Sequence, residues 1–243
     1  MNSSQVAAHL TDLVVANRIL AHEGVVDDFG HVSARDPADP SRFWLSRSRS
    51  PELVVRDDLI RFDLSGRPEG AGTRRPYLET ILHARVYAAR PDVMAVVHHH
   101  ARPVLAFCCA IGAAPLRPVF HMGALMGGQV PFWDSAAEFG DTAMIVNDTP
   151  KADSMARALG AHQAVLLRAH GATCVGPGLR EAVFASIYMA ENAALQLAIE
   201  ARGGGAAFLS DGEISMTRAM LFSDAPLTRA WDYRRARVGF GGL

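Results

Sequence analysis

The sequence is short of cysteine, of aromatic residues and of net charge. Its 243 residues include three cysteines, 7% aromatic residues and a formal net charge of -1, from 24 basic and 25 acidic side chains. An odd and poorly spaced cysteine set does not support a disulfide framework. We therefore expect buried free thiols and a reducing, cytoplasmic location. A nearly neutral chain also offers no broad cationic surface, which argues against nucleic-acid binding.

Long hydrophobic runs and a leader are missing as well. No apolar stretch approaches the ~20 residues that cross a bilayer. The start of the chain, MNSSQVAAHLTDLV, lacks the basic and apolar regions of a signal peptide. We therefore expect neither a signal peptide nor a membrane partner. The length and the 49% hydrophobic content suit one domain with a sizeable core.

Hydrophobic periodicity divides the chain into alternating helices and strands. Helices are predicted at Ser3–His22, Pro76–Ala89, Pro103–Ile111, Ala152–Leu159, Leu179–Arg202 and Asp211–Arg237, the last broken at Pro226. Strands are predicted at Phe29–Arg35, Phe43–Ser46, Leu59–Asp63, Val93–His98 and Val165–Arg168. The alternation, without repeats or long linkers, indicates a single α/β domain over residues 1–243 with a mixed sheet. A basic, Gly-rich tail from about Tyr233 is predicted to be mobile.

The chain has ten histidines, and three of them are consecutive. In the segment VVHHHARP, the alternation of a strand places His98 and His100 on one face and His99 on the other. A second apolar strand ends in LLRAHGATCVG, which adds His170. Each segment alone is as compatible with solvated histidines at a strand end as it is with a metal site. Together they predict a three-histidine metal centre with open positions for a substrate.

Glu79 lies near the start of the helix that begins at Pro76, and His83 follows four residues later on the same face. An acidic residue in the first turn of a helix also suits the helix dipole. Taken alone, Glu79 therefore favours a structural role over a catalytic one.

Three segments together resemble the class II aldolase/adducin family. They are GHVSAR at residues 30–35, YLETILHARVYAARPDVMAVVHHH at 77–100 and LLRAHGATCVG at 166–176. The resemblance runs from the first helix to about Glu213. It implies a three-layer α/β/α fold with a central mixed sheet, usually assembled as a homotetramer. It also implies a divalent metal ion (Zn, Mn, Mg or Fe) on His98, His100 and His170, and an acid/base role for Glu79.

The chain departs from the sugar-phosphate aldolases of that family in the segments where those enzymes bind phosphate. Their hydroxyl and amide residues are replaced here by Asp28-Phe29-Gly30-His31, by LSRSRS at residues 45–50 and by Tyr77-Leu78. Arg47 or Arg49 can form a bidentate pair with a carboxylate, and Phe29 or Tyr77 can cover a ring. These replacements predict a small, planar, anionic substrate.

The stretches FGHVSAR, LSRSRSPELV and RPVFHMGALMG resemble one branch of the family. Its members decarboxylate dihydroxyphthalate-like, pyridine dicarboxylate or carboxy-oxo-dienoate acids. In that branch His31 and His121 are catalytic candidates, although His121 could also be a loop histidine beside Phe120. Arg35 is expected to support the structure.

The resemblance implies a metal-dependent decarboxylase of a hydroxylated aromatic or ring-cleavage carboxylic acid, acting through a metal-stabilised enolate. The first alternative is a class II retro-aldolase that acts on a small hydroxy-carbonyl compound. An Fe(II)-dependent oxygenase and a non-enzymatic, adducin-like module are the remaining alternatives.

Overall fold

Eight strands form one sheet in this computed structural model, which describes residues 3–110, 112 and 114–241. In chain order they are β1 (His31–Arg35), β2 (Arg42–Ser46), β3 (Leu59–Asp63), β4 (Pro68–Glu69), β5 (Ala95–His99), β6 (Phe132–Trp133), β7 (Ala164–Leu167) and β8 (Gly171–Gly176). Across the sheet they follow the order β4-β3-β2-β1-β5-β8-β7-β6. Among these neighbours β6 and β7 run parallel and every other pair is antiparallel, so the sheet is mixed.

Helices cover both faces of the sheet. The α-helices are α1 (Ser3–His22), α2 (Thr80–Ala89), α3 (Arg102–Cys109), α4 (Ser135–Phe139), α5 (Thr149–Leu159), α6 (Leu179–Ala201), α7 (Asp211–Leu221) and α8 (Asp224–Arg237). Short 3-10 segments lie at Pro51–Leu53, Arg56–Asp58 and His121–Met126. Helices α1, α3 and α6 pack on one face, and α2 and α5 pack on the other. The predicted three-layer α/β/α fold is confirmed.

Strand alternation decides which helices each strand residue meets. On β5, Ala95 and Val97 belong to the core beneath α1 and α6, whereas Val96 belongs to the core beneath α2 and α5. His98 and His99 continue the same alternation and are both fully buried. His98 therefore faces the α2 layer, and His99 faces the α6 layer, where its Nε2 lies 3.6 Å from Cys174 Sγ.

Helix α6 is more apolar than the sequence pattern suggested. Within the described chain it is the one helix long and apolar enough, by length and composition, to cross a membrane. More than half of its apolar window, 56%, is buried. It packs against β5, β8, α1 and α3, so the buried part of its apolar surface belongs to the protein core.

Two predicted helix boundaries are wrong, each for a local reason. Helix α2 begins at Thr80 and not at Pro76, because the preceding segment pairs with a loop: the Ser48 amide donates to the Arg75 carbonyl. The last helical region breaks at Phe222 and Ser223 and not at Pro226. Pro226 lies in the first turn of α8, where a missing N–H costs no hydrogen bond. The predicted end of α3 at Ile111 lies outside the described residues.

The C-terminal segment is helical up to Arg237, and one of the three cysteines differs from the expectation of buried thiols. From Tyr233, where the mobile tail is predicted to begin, helix α8 continues to Arg237. Arg234 is buried and forms an ion pair with Glu23 at 2.8 Å. Cys108 and Cys174 are buried as expected, but Cys109 is exposed at the end of α3.

Arg35 has the structural role that the sequence predicts. Its buried guanidinium donates to the carbonyl oxygens of Val93, Pro40, Tyr87 and Arg90. These bonds attach the end of β1 to the end of α2 and to the loop that enters β5.

Candidate metal centre

The antiparallel pairing of three central strands brings the site together. His31 on β1 is directly opposite His98 on β5, and Thr173 on β8 is opposite His98 on its other side. His100 follows the end of β5, and His170 lies in the turn between β7 and β8. Residues from three separate segments of the sequence therefore meet at one end of the sheet.

Three imidazoles converge at this end of the sheet. His98 Nε2 lies 3.1 Å from His100 Nε2, and one ring nitrogen each of His98, His100 and His170 lie within 4.8 Å of one another. The predicted sharing of a face by His98 and His100, with His99 turned away, is observed. The arrangement is compact enough for one divalent ion to contact all three rings.

The outer nitrogens of two of these rings, those of His98 and His100, already have hydrogen-bond partners, which leaves their inner nitrogens as ligands. His100 Nδ1 donates to the Asp27 carboxylate at 3.0 Å, and because a carboxylate only accepts, His100 Nε2 carries a lone pair. His98 Nδ1 lies 3.3 Å from the hydroxyl of Thr173. Burial, together with the neighbouring imidazoles, lowers the pKa of His98 well below its usual value. Neutral rings held from behind are the form in which imidazole binds metal, so the donor set fits a divalent cation.

A strained turn aims His170 at the centre. Ala169 has a positive φ of 54°, a conformation that a residue other than glycine adopts at a cost of ~1–3 kcal/mol. The amide of His170 closes the turn by donating to the Leu167 carbonyl. The next residue, Gly171, has no room for a side chain, since a Cβ there would lie 2.4 Å from the His99 carbonyl oxygen. The backbones of β8 and β5 therefore approach each other closely at this position.

Glu79 occupies the centre of the histidine cluster. Its Oε2 lies 3.5 Å from His98 Nε2, 3.6 Å from His31 Nε2 and 3.9 Å from His170 Nε2. Its Oε1 accepts a hydrogen bond from the Val146 amide at 2.9 Å. Burial alone raises the pKa of Glu79, but His31, His170 and the Val146 amide outweigh it and hold the pKa below the usual value. Glu79 is therefore a carboxylate at neutral pH.

A pocket of about 510 Å³ opens above these groups. Its lining residues are Phe29, His31, Ser48, Tyr77, Leu78, Glu79, His100, Ile145, Ala169 and His170. Phe29 and Leu78 are 74% and 72% exposed and form the mouth. The Tyr77 ring packs on His31, with ring centroids 4.7 Å apart. Phe29, Tyr77, Glu79 and His31, predicted from the sequence as site residues, thus lie together.

Two predicted arginines and one predicted histidine do not line this pocket. Asp58 holds both arginines, accepting from Arg47 Nε at 2.6 Å and from Arg49 Nη1 at 3.1 Å. Arg47 instead lines an adjoining cavity, described below. His121 is exposed and lines a separate cavity of about 680 Å³ with Tyr188 and Tyr233.

Several residues of the site were missed in the sequence. Asp27 is one, although it had a readable signal: its carboxylate accepts from the amides of Phe29 and Gly30, a turn that precedes β1. Thr173, Ser33 and Tyr87 carry no sequence signal of their own, because strand pairing and helix packing alone bring them to the histidines.

Comparison with known proteins assigns the chain to a family. The profile of the Class II Aldolase and Adducin N-terminal domain matches residues 11–197. Decarboxylase tropJ of Talaromyces stipitatus is 31% identical, over 93% of this chain and 92% of its own. The 3,4-dihydroxyphthalate decarboxylase of Terrabacter sp. is 34% identical, over 92% of this chain and 94% of its own. The solved L-fuculose 1-phosphate aldolase from Glaciozyma antarctica superposes with a TM-score of 0.77 at 24% identity, over 97% and 91% of the two chains.

The chain therefore belongs to the class II aldolase and adducin family. The resemblance to the decarboxylase branch of the family, predicted from the sequence, is confirmed by relatives that are decarboxylases by name. These relatives support the lyase class of enzymes for this chain.

His99 and His100 are neighbours whose side chains point in different directions, and this difference gives the first test of the metal centre. We expect His100→Ala to lose most of the bound metal, because it removes one of three ligands. His99→Ala should keep metal near the wild-type level per folded chain, because His99 faces the α6 layer. Metal content of the folded protein, measured by mass spectrometry after loading with zinc, checks this. Equal losses in the two variants would contradict the assignment.

Adjacent aspartates at residues 27 and 28 allow a matched test of the support behind His100. Asp27→Asn keeps an oxygen for the Phe29 and Gly30 amides but removes the charge that orients His100. We expect the affinity for zinc to fall roughly 10- to 100-fold, as measured by competition with a chelator. Asp28→Asn, at an exposed neighbour, is the control and should bind zinc like the wild type. An unchanged affinity in Asp27→Asn would show that the carboxylate does not serve the metal.

Proposed function

We propose that this chain is a metal-dependent decarboxylase of a hydroxylated aromatic or ring-cleavage carboxylic acid. The observation that carries the proposal is a single pocket in which the Glu79 carboxylate and the imidazoles of His31, His100 and His170 lie beside the aromatic rings of Phe29 and Tyr77. The named decarboxylases among the relatives support the same reaction.

His98, His100 and His170 would hold the divalent ion, and their nitrogen donors suit zinc, manganese or iron better than magnesium. The ion would supply a Lewis acid that stabilises negative charge on a substrate oxygen. Thr173 and Asp27 would keep two of the rings in place. Three protein ligands leave positions open for the substrate.

Glu79 would carry the proton. As a carboxylate, its Oε2 can accept the proton of the substrate hydroxyl next to the carboxyl group. When the bond between the ring carbon and the carboxyl carbon breaks, carbon dioxide leaves and the electron pair remains on the ring carbon. Glu79 then returns its proton to that carbon and forms the new C–H bond, and a solvent proton restores the hydroxyl. The Val146 amide holds Oε1, which leaves Oε2, the oxygen next to the imidazoles, for both transfers.

The rest of the substrate would lie between the mouth of the pocket and the adjoining cavity of about 660 Å³. That cavity shares Ser48 and Leu78 with the pocket and is also lined by Arg47, Arg74 and Arg75. Arg74 donates to four backbone carbonyls and has no carboxylate partner in the described chain. Since Arg47 and Arg49 also share one aspartate, the cavity has an excess of positive charge that suits a second carboxylate of the substrate.

A retro-aldol reaction is the second candidate, favoured by the superposition on an L-fuculose 1-phosphate aldolase. The same Glu79 could then remove a proton from a substrate hydroxyl while a carbon–carbon bond breaks. The complete set of imidazoles around a carboxylate is more than an adducin-like binding module requires. A homotetramer in the cytoplasm remains our expectation for the assembly and location.

An assay of both activities tests the proposal. The zinc-, manganese- or iron-loaded protein is incubated with 3,4-dihydroxyphthalate and related hydroxylated aromatic acids, and separately with L-fuculose 1-phosphate. We expect carbon dioxide release from at least one aromatic acid and no aldehyde from the sugar phosphate. Efficient cleavage of the sugar phosphate, with no carbon dioxide from any aromatic acid, would contradict the decarboxylase and favour the aldolase.

Replacement of Glu79 separates proton transfer from metal binding. Glu79→Gln preserves the shape of the side chain but removes the ionisable group, so we expect kcat to fall ~100- to 10,000-fold. Metal content should stay at the wild-type level, because three imidazoles remain. Glu52→Gln, at an exposed site outside the pocket, is the control and should be fully active. A Glu79→Gln enzyme with wild-type kcat would show that another group carries the proton.

A further inference from the structure

A chain of hydrogen bonds runs from the pocket wall into the core behind it. His31 Nδ1 lies 2.7 Å from His83 Nε2, and His83 Nδ1 lies 2.6 Å from Ser33 Oγ. Ser33 Oγ lies 2.8 Å from the hydroxyl of Tyr87. All four residues are at most 1% exposed, so the hydrogen bonds behind His31 are shielded from bulk water. His83, Ser33 and Tyr87 do not line the pocket and have no part in the reaction as described above.

The side-chain spacings of one strand and one helix produce this series of hydrogen bonds. His31 and Ser33 are alternate residues of β1 and point toward α2, whereas Val32 faces the opposite core. His83 and Tyr87 are one turn apart on α2, each four residues beyond the previous member of the series that starts at Glu79. Every second residue of β1 and every fourth residue of α2 therefore face each other, so that polar side chains of the strand and the helix meet in the core.

The hydroxyl groups of Tyr87 and Ser33 fix which atom donates and which accepts in each of these hydrogen bonds. A buried phenol must donate its proton, and burial raises the pKa of Tyr87, so that its proton stays in place. Ser33 Oγ is the side-chain acceptor within its reach in the described structure. Ser33 must then donate to the remaining partner, His83 Nδ1. His83 is neutral, since burial lowers its pKa well below the usual value, and its proton therefore resides on Nε2 and is donated to His31 Nδ1.

We propose that Tyr87, Ser33 and His83 fix the proton of His31 on Nε2, so that His31 always presents an N–H group to the Glu79 carboxylate. Because His31 Nδ1 accepts from His83, the proton of the His31 ring has only Nε2 available. This nitrogen is 3.6 Å from Glu79 Oε2. His31 thus supports the carboxylate that carries the proton, and the three residues behind it are positioning residues.

The proposal also distinguishes two possible metal sites. His31, Glu79 and His98 form a second group of donors close enough to share an ion. A nitrogen that bears a proton has no lone pair for a metal. With the proton on Nε2, His31 is excluded as a ligand, and the metal is directed to His98, His100 and His170.

A neutron crystal structure of the zinc-loaded protein, exchanged into heavy water, tests the proton positions directly. We expect deuterium on Nε2 of both His31 and His83, and none on Nδ1 of either ring. Deuterium on His31 Nδ1, or zinc bound to His31 Nε2, would overturn the proposal. This readout does not depend on the reaction, so it remains decisive even if no aromatic acid is decarboxylated.

The kinetic consequence rests on the proposed decarboxylase and is tested with Tyr87→Phe. Without the phenol proton, Ser33 can accept a hydrogen bond from His83. The direction of the hydrogen bonds can then reverse, so that His31 Nε2 loses its proton in part of the molecules. We expect kcat to fall roughly 10- to 100-fold, with KM and metal content unchanged. Tyr188→Phe removes a hydroxyl that contacts Arg234 outside the chain and should keep the wild-type kcat.

A simple packing defect would lower the midpoint of urea unfolding and would not change proton positions. In the neutron structure of Tyr87→Phe, we therefore expect deuterium on Nδ1 of His31 in part of the molecules. A Tyr87→Phe enzyme with wild-type kcat, or with His31 still protonated on Nε2 alone, would contradict the role of the phenol.

Discussion

The antiparallel register between β1 and β5 is the constraint on which the site depends. It sets His31 opposite His98, and both then face the helix that begins next to Glu79. A shift of one residue would turn every side chain of β1 to the other face. His31 and Ser33 would then face α6, and the valine between them would face Glu79. The buried Arg35, which ties the same strand to α2 and to the loop before β5, helps to hold this register.

Charge within the site is balanced around one carboxylate. Burial lowers the pKa of His98 and His170, which keeps these rings neutral and suited to bind a cation. Glu79 remains ionised in spite of its burial because imidazoles surround it and the Val146 amide donates to it. A divalent ion brought next to Glu79 would add a compensating positive charge. Metal binding and the proton-carrying carboxylate thus support each other electrostatically.

The fold and the histidine centre could be predicted because local patterns encode them. Strand alternation separates His99 from His98 and His100, and the short motifs around His170 and Glu79 carry the family resemblance. The role of Arg47 depends on which carboxylate it pairs with. Its partner, Asp58, is brought to it by the folding of the intervening loop. The sequence places His83 one turn after Glu79, but the hydrogen-bond partner of His83, Ser33, is 50 residues away in the sequence. Such long-range pairs require the register of the sheet, which sequence periodicity does not give.

The central claim is that three imidazoles at the end of β5 and in the β7–β8 turn hold one divalent ion. X-ray absorption spectroscopy of the zinc-loaded protein tests it most directly. The account predicts about three imidazole nitrogens per zinc at ~2.0–2.1 Å, with the remaining ligands light oxygen atoms. A sulfur ligand at ~2.3 Å, or a spectrum without imidazole scattering, would contradict it.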